Sequence, residues 1–167
     1  MKTINTHFIS NILGFMLIVE SFLMLSSAIV GEYFRESVTV SIYISVAITF
    51  VAGVFLRFLS FGKKGQEITK REGFLTVTLV WILLTLFGLL PYYLSGAIPH
   101  LPDAFFETMC GFTTTGSSVI LNIEAFPKSL LFWRSLTQWV GGIGIVVFVM
   151  AFLPLFGGSA IQLFDAE

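Results

Sequence analysis

Four apolar runs, at residues 8–30, 38–61, 74–93 and 130–156, limit the possible folds of this chain more than any other feature. Each is long enough to cross a hydrocarbon core of about 30 Å, which takes about 20 helical residues. Backbone polar groups cannot be left bare in lipid, so runs of this length predict membrane helices. Composition agrees: of 167 residues 56% are apolar, 19 are phenylalanine and only 11% are charged, far from the balance of a soluble domain. The expected class is an all-α transmembrane protein.

The first run resembles a signal peptide at its edges, with Lys2 before it and Ser26, Ser27 and Ala28 within it. It is too long for one, and Glu20 interrupts it, so it is read as a retained helix. A charged carboxylate at that depth costs several kcal/mol unless it is protonated, paired or facing water. Glu20 is therefore either a proton or ion relay or, preferably, a hydrogen-bonded group packed at a helix interface.

The loops set the orientation. Arg57, Lys63, Lys64, Lys70 and Arg71 stand against Glu67 and Glu72 between the second and third runs, whereas the turn after the first run offers only Arg35. Positive loops stay in the cytoplasm, which puts the N-terminus inside and the segment between the third and fourth runs outside. The basic loop is first a topology anchor and second a candidate contact for anionic lipid or a soluble regulator. With a net charge of −1 and no broad basic patch, nucleic acid is not an expected partner. The single cysteine, Cys110, excludes an internal disulfide and is expected to pack. His100 has no second metal ligand at useful spacing and reads as a surface residue.

The segment from Pro102 to Ser118 carries the chemistry. Pro102 suits a first helical position, Asp103 complements the positive end of the dipole, and Gly111 is a natural stop. About ten residues span roughly 15 Å, half of a membrane, so this helix enters without crossing. Entering from outside, it points its negative end at the bilayer midplane and favours a cation there. Thr113, Thr114, Thr115, Gly116, Ser117 and Ser118 follow, with little apolar surface to offer lipid. Irregular backbone at that depth is tolerated only where protein buries it or where it lines a water-filled cavity. Aligned carbonyls that replace an ion's hydration shell are how a potassium filter works. Taken alone such a run reads as a solvated loop; the half-length helix and the flanking runs favour the pore. Gly111 and Gly116 have phosphate-loop spacing, but Ser117 stands where that motif needs lysine.

Further residues support this loop. Arg134 and Gln138, four apart, share one face of the fourth helix near the membrane edge. Arginine facing lipid is expensive there, so Arg134 is expected to face protein, engaging the loop carbonyls or pairing with Glu107 or Glu124. Glu124 would also add negative charge to the outer mouth. Gly141, Gly142 and Gly144 allow close helix approach. Tyr92, Tyr93, Trp133 and Trp139 are expected at the interface, and Pro91 to end the third helix.

The stretch Gly-Phe-Thr-Thr-Thr-Gly-Ser-Ser from Gly111, followed by Phe-Trp-Arg-Ser-Leu-Thr-Gln-Trp-Val-Gly-Gly-Ile-Gly from Phe132, resembles the first pore repeat of the Trk/Ktr/HKT potassium transporters, most closely the bacterial Trk branch. The resemblance implies two N-terminal helices with a cytoplasmic basic loop over residues 1–72, then one helix–pore loop–helix repeat over 73–167. It implies potassium uptake across the cell (inner) membrane, not enzymatic chemistry. It places the filter at Thr113, Thr114, Thr115, Gly116 and Ser117, with Thr114 and Thr115 as potassium ligands and Gly116 as the selectivity glycine. It also implies a cytoplasmic nucleotide-binding regulatory subunit. Family members carry four such repeats, whereas Thr-Thr-Thr-Gly occurs here once. The chain is thus expected to be part of a longer protein, or else to assemble as four copies. The alternative from another class is a non-conducting membrane scaffold, associating through the faces of Gly141, Gly142 and Gly144.

Overall fold

The structure is a computed structural model and describes residues 6–60 and 70–152. Its elements are α1 (Thr6–Phe34), α2 (Thr39–Leu59), α3 (Lys70–Gly88), α4 (Leu90–Leu94), α5 (Leu101–Phe112) and α6 (Lys128–Phe152), with no strand among the described residues. Among the described residues, four stretches are long and apolar enough to cross a membrane: Thr6–Phe34, Thr39–Leu59, Arg71–Leu94 and Lys128–Val147. The fold is all-α and multi-pass, with a half-length helix and an irregular loop between the third and fourth spans. Lys2, Lys63, Lys64, Glu67, and Gly157 and Gly158 beyond the fourth span lie outside the described residues, as does the side chain of Lys70.

Helices α1 and α2 form a hairpin held by small residues. A Cβ on Gly14 would come within 2.6 Å of the Gly53 carbonyl, and one on Gly53 within 2.9 Å of the Gly14 carbonyl. Two backbones meet there, which only paired glycines allow. Ser10 donates to the Leu56 carbonyl at 2.8 Å and Ser60 to the His7 carbonyl, so the hairpin is also fastened at its open end.

The third span is broken near Pro91. Pro91 has no N–H to give the preceding turn, and Tyr92 N donates to Leu89 O at 3.1 Å. The Gly88 carbonyl is thereby freed, and Trp133 Nε1 donates to it at 2.9 Å. This explains a departure from expectation. Trp133 and Tyr92 are each 1% exposed, in the core with Met24, Ile42, Ile98 and Ala104, and not at an interface. A kinked helix supplies an acceptor inside the protein, and an indole N–H at hydrogen-bonding distance takes it. Tyr93 and Trp139 remain exposed.

The outer faces are apolar. Phe22, Val51, Phe55, Phe58 and Met150 are each at least 60% exposed, as suits helices solvated by lipid. The interior is correspondingly polar in places, with Ser27, Ser45, Thr49, Thr85 and Thr108 fully buried. Most of these hydroxyls bond to a carbonyl one turn back, such as Thr85 to Trp81 O and Thr108 to Ala104 O at 2.8 Å.

Candidate functional site: the loop between α5 and α6

Helix α5 has twelve residues and so spans about 18 Å. Its start is as the sequence suggests, with proline in the first turn, Asp103 beside it, and Ala104 N bonded to the exposed His100 carbonyl at 3.0 Å. Its end differs. Gly111 lies inside the helix, which continues to Phe112. Gly111 is needed for another reason: a Cβ there would collide with the hydroxyl of Thr137 on α6. Gly141 answers it from α6, where a Cβ would overlap the Phe112 carbonyl. The two helices therefore cross in contact just before the loop begins.

The helix ends in a Schellman arrangement. Thr115 N donates to Cys110 O and Thr114 N to Gly111 O, both at 3.0 Å. That geometry places Thr114 in the left-handed region, with φ 55°. Glycine usually takes this position, because a β-branched residue there is strained. The Thr113 hydroxyl donates to Met109 O at 2.7 Å and meets the Thr115 hydroxyl at 2.8 Å, so both side chains fold back on the helix end. Gly116 follows at φ 80°, and a Cβ added there would meet nothing within 4 Å.

Glu107 fastens the far end of the loop. It is 1% exposed and accepts from the Ser118 hydroxyl at 2.9 and 3.0 Å, from Val119 N at 2.8 Å and from Arg134 Nε at 2.7 Å. A carboxylate this deep is stabilised only if its lone pairs are filled, and here they are. Of the partners open to Arg134, the structure selects Glu107, while Glu124 lies exposed in the return loop. Gln138 shares that helix, but its side chain takes part in no hydrogen bond among the described residues; it lines a groove with Trp139, Gly142 and Ile143. The structure thus ties Arg134 to the loop through Glu107 and leaves the Gln138 side chain without a bond among the described residues.

Among the described residues no hydrogen bond ends on a carbonyl of residues 113–118. Side chains of 113–118 are exposed and lie next to α6, with the Thr114 methyl 3.9 Å from a Cβ built on Gly142. Thr113, Thr114, Thr115, Gly116 and Ser117 thus form one continuous strip of unpaired carbonyls beyond the negative end of α5. No cluster of His, Cys, Asp or Glu able to hold a metal occurs among the described residues. An ion bound here would be held by neutral oxygens.

Two contributors went unread in the sequence. Glu107 entered only as one of several partners for Arg134, although Ala104, Glu107, Thr108 and Gly111 fall at i, i+3, i+4 and i+7 and so share the buried face of α5. A carboxylate on such a stripe demands partners. Glu36 was missed altogether. From the α1–α2 turn it caps α6, accepting from Lys128 N at 2.6 Å, Ser129 N at 3.1 Å and the Ser129 hydroxyl. Nothing local in the sequence announces a cap supplied from 92 residues away.

Comparison with known proteins gives one consistent result. Residues 38–167 match the family model TrkH, cation transport protein. The Trk system potassium uptake protein TrkH of Halomonas elongata is 37% identical over 160 residues, covering 95% of this chain and 33% of that protein. TrkH of Escherichia coli (strain K12) is 36% identical over 165 residues, with the same coverage. The crystal structure of the potassium transporter TrkH from Vibrio parahaemolyticus superposes with a TM-score of 0.82 at 31% identity, over 97% of this chain and 36% of that one. The chain spans about a third of the length of the curated relatives it matches.

Proposed function

The chain belongs to the TrkH family of cation transport proteins, and from that premise we propose that residues 113–117 are one strand of a potassium-selective filter. The observation that carries this is the strip of carbonyls that accept no hydrogen bond among the described residues, between two fastened ends. These carbonyls lie on exposed residues, so their partner comes from outside the described residues, as water or as an ion. A potassium ion is such a partner: its hydration shell is replaced by carbonyl oxygens, with the C-terminal end of α5 adding about half a negative charge nearby.

One strand cannot surround an ion. The remaining oxygens would come from three equivalent loops, supplied by further repeats of a longer protein or by further copies of this chain. Residues 73–167 would form one pore repeat, and residues 1–72 the preceding helix pair with its cytoplasmic loop. The open face of α6 carrying Gln138, Gly142 and Ile143 would then look toward the neighbouring repeats. The N-terminus would lie in the cytoplasm of an inner-membrane protein, on the side where a nucleotide-binding regulatory subunit would dock. Uptake would be driven by the membrane potential, worth about 2.3 kcal/mol per charge per 100 mV. No bond is made or broken, so the protein is a transporter and not an enzyme.

Rubidium, a heavy stand-in for potassium, tests the site directly. Crystals of the complete transporter grown in rubidium should show anomalous density against the carbonyls of residues 113–117. Density elsewhere, with those oxygens hydrogen-bonded to protein, would overturn the assignment.

A further inference from the structure

The first turn of α6 is fastened from outside, by the α1–α2 pair. Glu36, in the turn between those helices, accepts from Lys128 N at 2.6 Å, from Ser129 N at 3.1 Å and from the Ser129 hydroxyl. Glu36 is itself fixed: its N–H donates to Gly31 O at 3.0 Å and its carbonyl accepts the Thr39 hydroxyl at 2.7 Å. Ser27 of α1 adds a second tie, donating its hydroxyl to the Ser129 carbonyl. The α1 backbone passes so close that a Cβ on Gly31 would lie 3.2 Å from the Ser129 Cβ. Ser129 is fully buried as a result, although it stands at the start of its helix. At Glu20 the same helix makes no such bond: expected to be a hydrogen-bonded group, it is 3% exposed with neither carboxyl oxygen partnered.

This first turn connects to the loop in two directions. Backwards, it anchors the return segment 119–127, which starts with Val119 N on Glu107 at 2.8 Å and ends with Pro127 O accepting from Leu131 N at 3.0 Å. Forwards, the i to i−4 bonding of an α-helix rests the amide of Arg134 on the carbonyl of Leu130, and Arg134 Nε reaches Glu107 at 2.7 Å. Both routes meet at Glu107, the acceptor for Ser118 and Val119. The next turn of α6 is held separately, by Trp133 Nε1 on Gly88 O. Losing the ties to Ser129 would therefore loosen residues 128–131, the seat of Arg134, without unravelling the helix.

We propose that Glu36 is a positioning residue for the loop between α5 and α6. It binds the first turn of α6 to the α1–α2 pair and so keeps Arg134 and Glu107 aligned behind residues 113–118. The N-terminal helix pair thereby becomes part of the frame of the ion site, a role that rests on reading residues 113–117 as a filter strand.

Potassium and sodium uptake by the complete transporter tests this role, measured well below the thermal midpoint of each variant. Glu36→Ala is expected to lower the preference for potassium over sodium by about threefold to tenfold, the loss of a cap felt at the loop. Glu36→Gln keeps the length and one accepting oxygen and should regain most of the preference. Where Glu36→Ala does not accumulate, Ser27→Ala removes the other tie to Ser129 and should shift the preference in the same direction. A cap with no positioning role would lower the midpoint alone, so an unchanged preference in a folded variant would overturn the role. Gly116→Ser measured in parallel separates the two readings. A preference altered at Gly116 but not at Glu36 overturns the positioning role only; one altered at neither overturns the filter assignment as well.

Discussion

The Nε of Arg134 lies 2.7 Å from Oε1 of Glu107, and this ion pair joins α5 to α6 across the loop between them. Because the same carboxylate also receives Ser118 and Val119, the pair sets where the loop strand ends. Removing one partner strands a buried charge, at a cost of about 3–5 kcal/mol. Arg134→Met should therefore lower the thermal midpoint of the purified protein markedly and abolish selective uptake. The paired change Glu107→Met with Arg134→Met should recover much of the stability but none of the selectivity, since Ser118 and Val119 would still lack their acceptor. Thermal unfolding and ion uptake of both variants check this.

The two glycines of α6 nearest the loop should behave differently. Alanine at Gly141 would overlap the Phe112 carbonyl, whereas alanine at Gly142 meets only the Thr114 methyl at an ordinary 3.9 Å. Gly141→Ala is expected to lose about 1–3 kcal/mol through overpacking, and Gly142→Ala little or nothing. Unfolding midpoints in detergent separate the two, and equal losses would contradict the helix crossing described here.

Thr114 offers a test of stored strain. Its left-handed backbone costs a non-glycine residue about 1–2 kcal/mol. Thr114→Gly should thus leave the melting temperature unchanged or raised, despite the added freedom of the unfolded chain. A clear fall in melting temperature would show that the threonine side chain contributes more than the strain removes.

Glu36 caps α6 across the α1–α2 turn, and losing such a cap typically costs about 0.5–2 kcal/mol. Glu36→Ala should destabilise by that amount, with hydrogen exchange accelerating first at the amides of Lys128 and Ser129. Lys128 adds a smaller hold, its ammonium lying 4.2 Å from the centre of the Phe34 ring.

What the sequence revealed and what it hid follow from the range of the interactions. Apolar length alone specified the spans, because lipid leaves a backbone no other choice. The half-length helix α5 was legible from Pro102, Asp103 and its half-membrane length, since these are local signals. Arg134 facing protein was legible from the cost of its charge. Its choice of Glu107 was open until the helices were placed. Trp133 and Tyr92 misled because an aromatic near a span end usually seeks the interface, and the acceptor that draws Trp133 inward exists only once Pro91 has broken the helix. Gly111 misled in the same way: its small size serves a contact with Thr137, which sequence spacing does not show.

The central claim is that the carbonyls around Gly116 select potassium, and Gly116→Ser tests it most directly. Its backbone at φ 80° strains any side chain, while the added Cβ meets no neighbour within 4 Å, so the change perturbs the strand without disturbing the fold. Potassium and sodium uptake should be measured for the complete transporter with and without this substitution. The account predicts that the preference for potassium over sodium falls by about tenfold or more, equivalent to about 1.4 kcal/mol, with expression and melting temperature near the unmodified protein. An unchanged preference in a folded, transporting variant would contradict it.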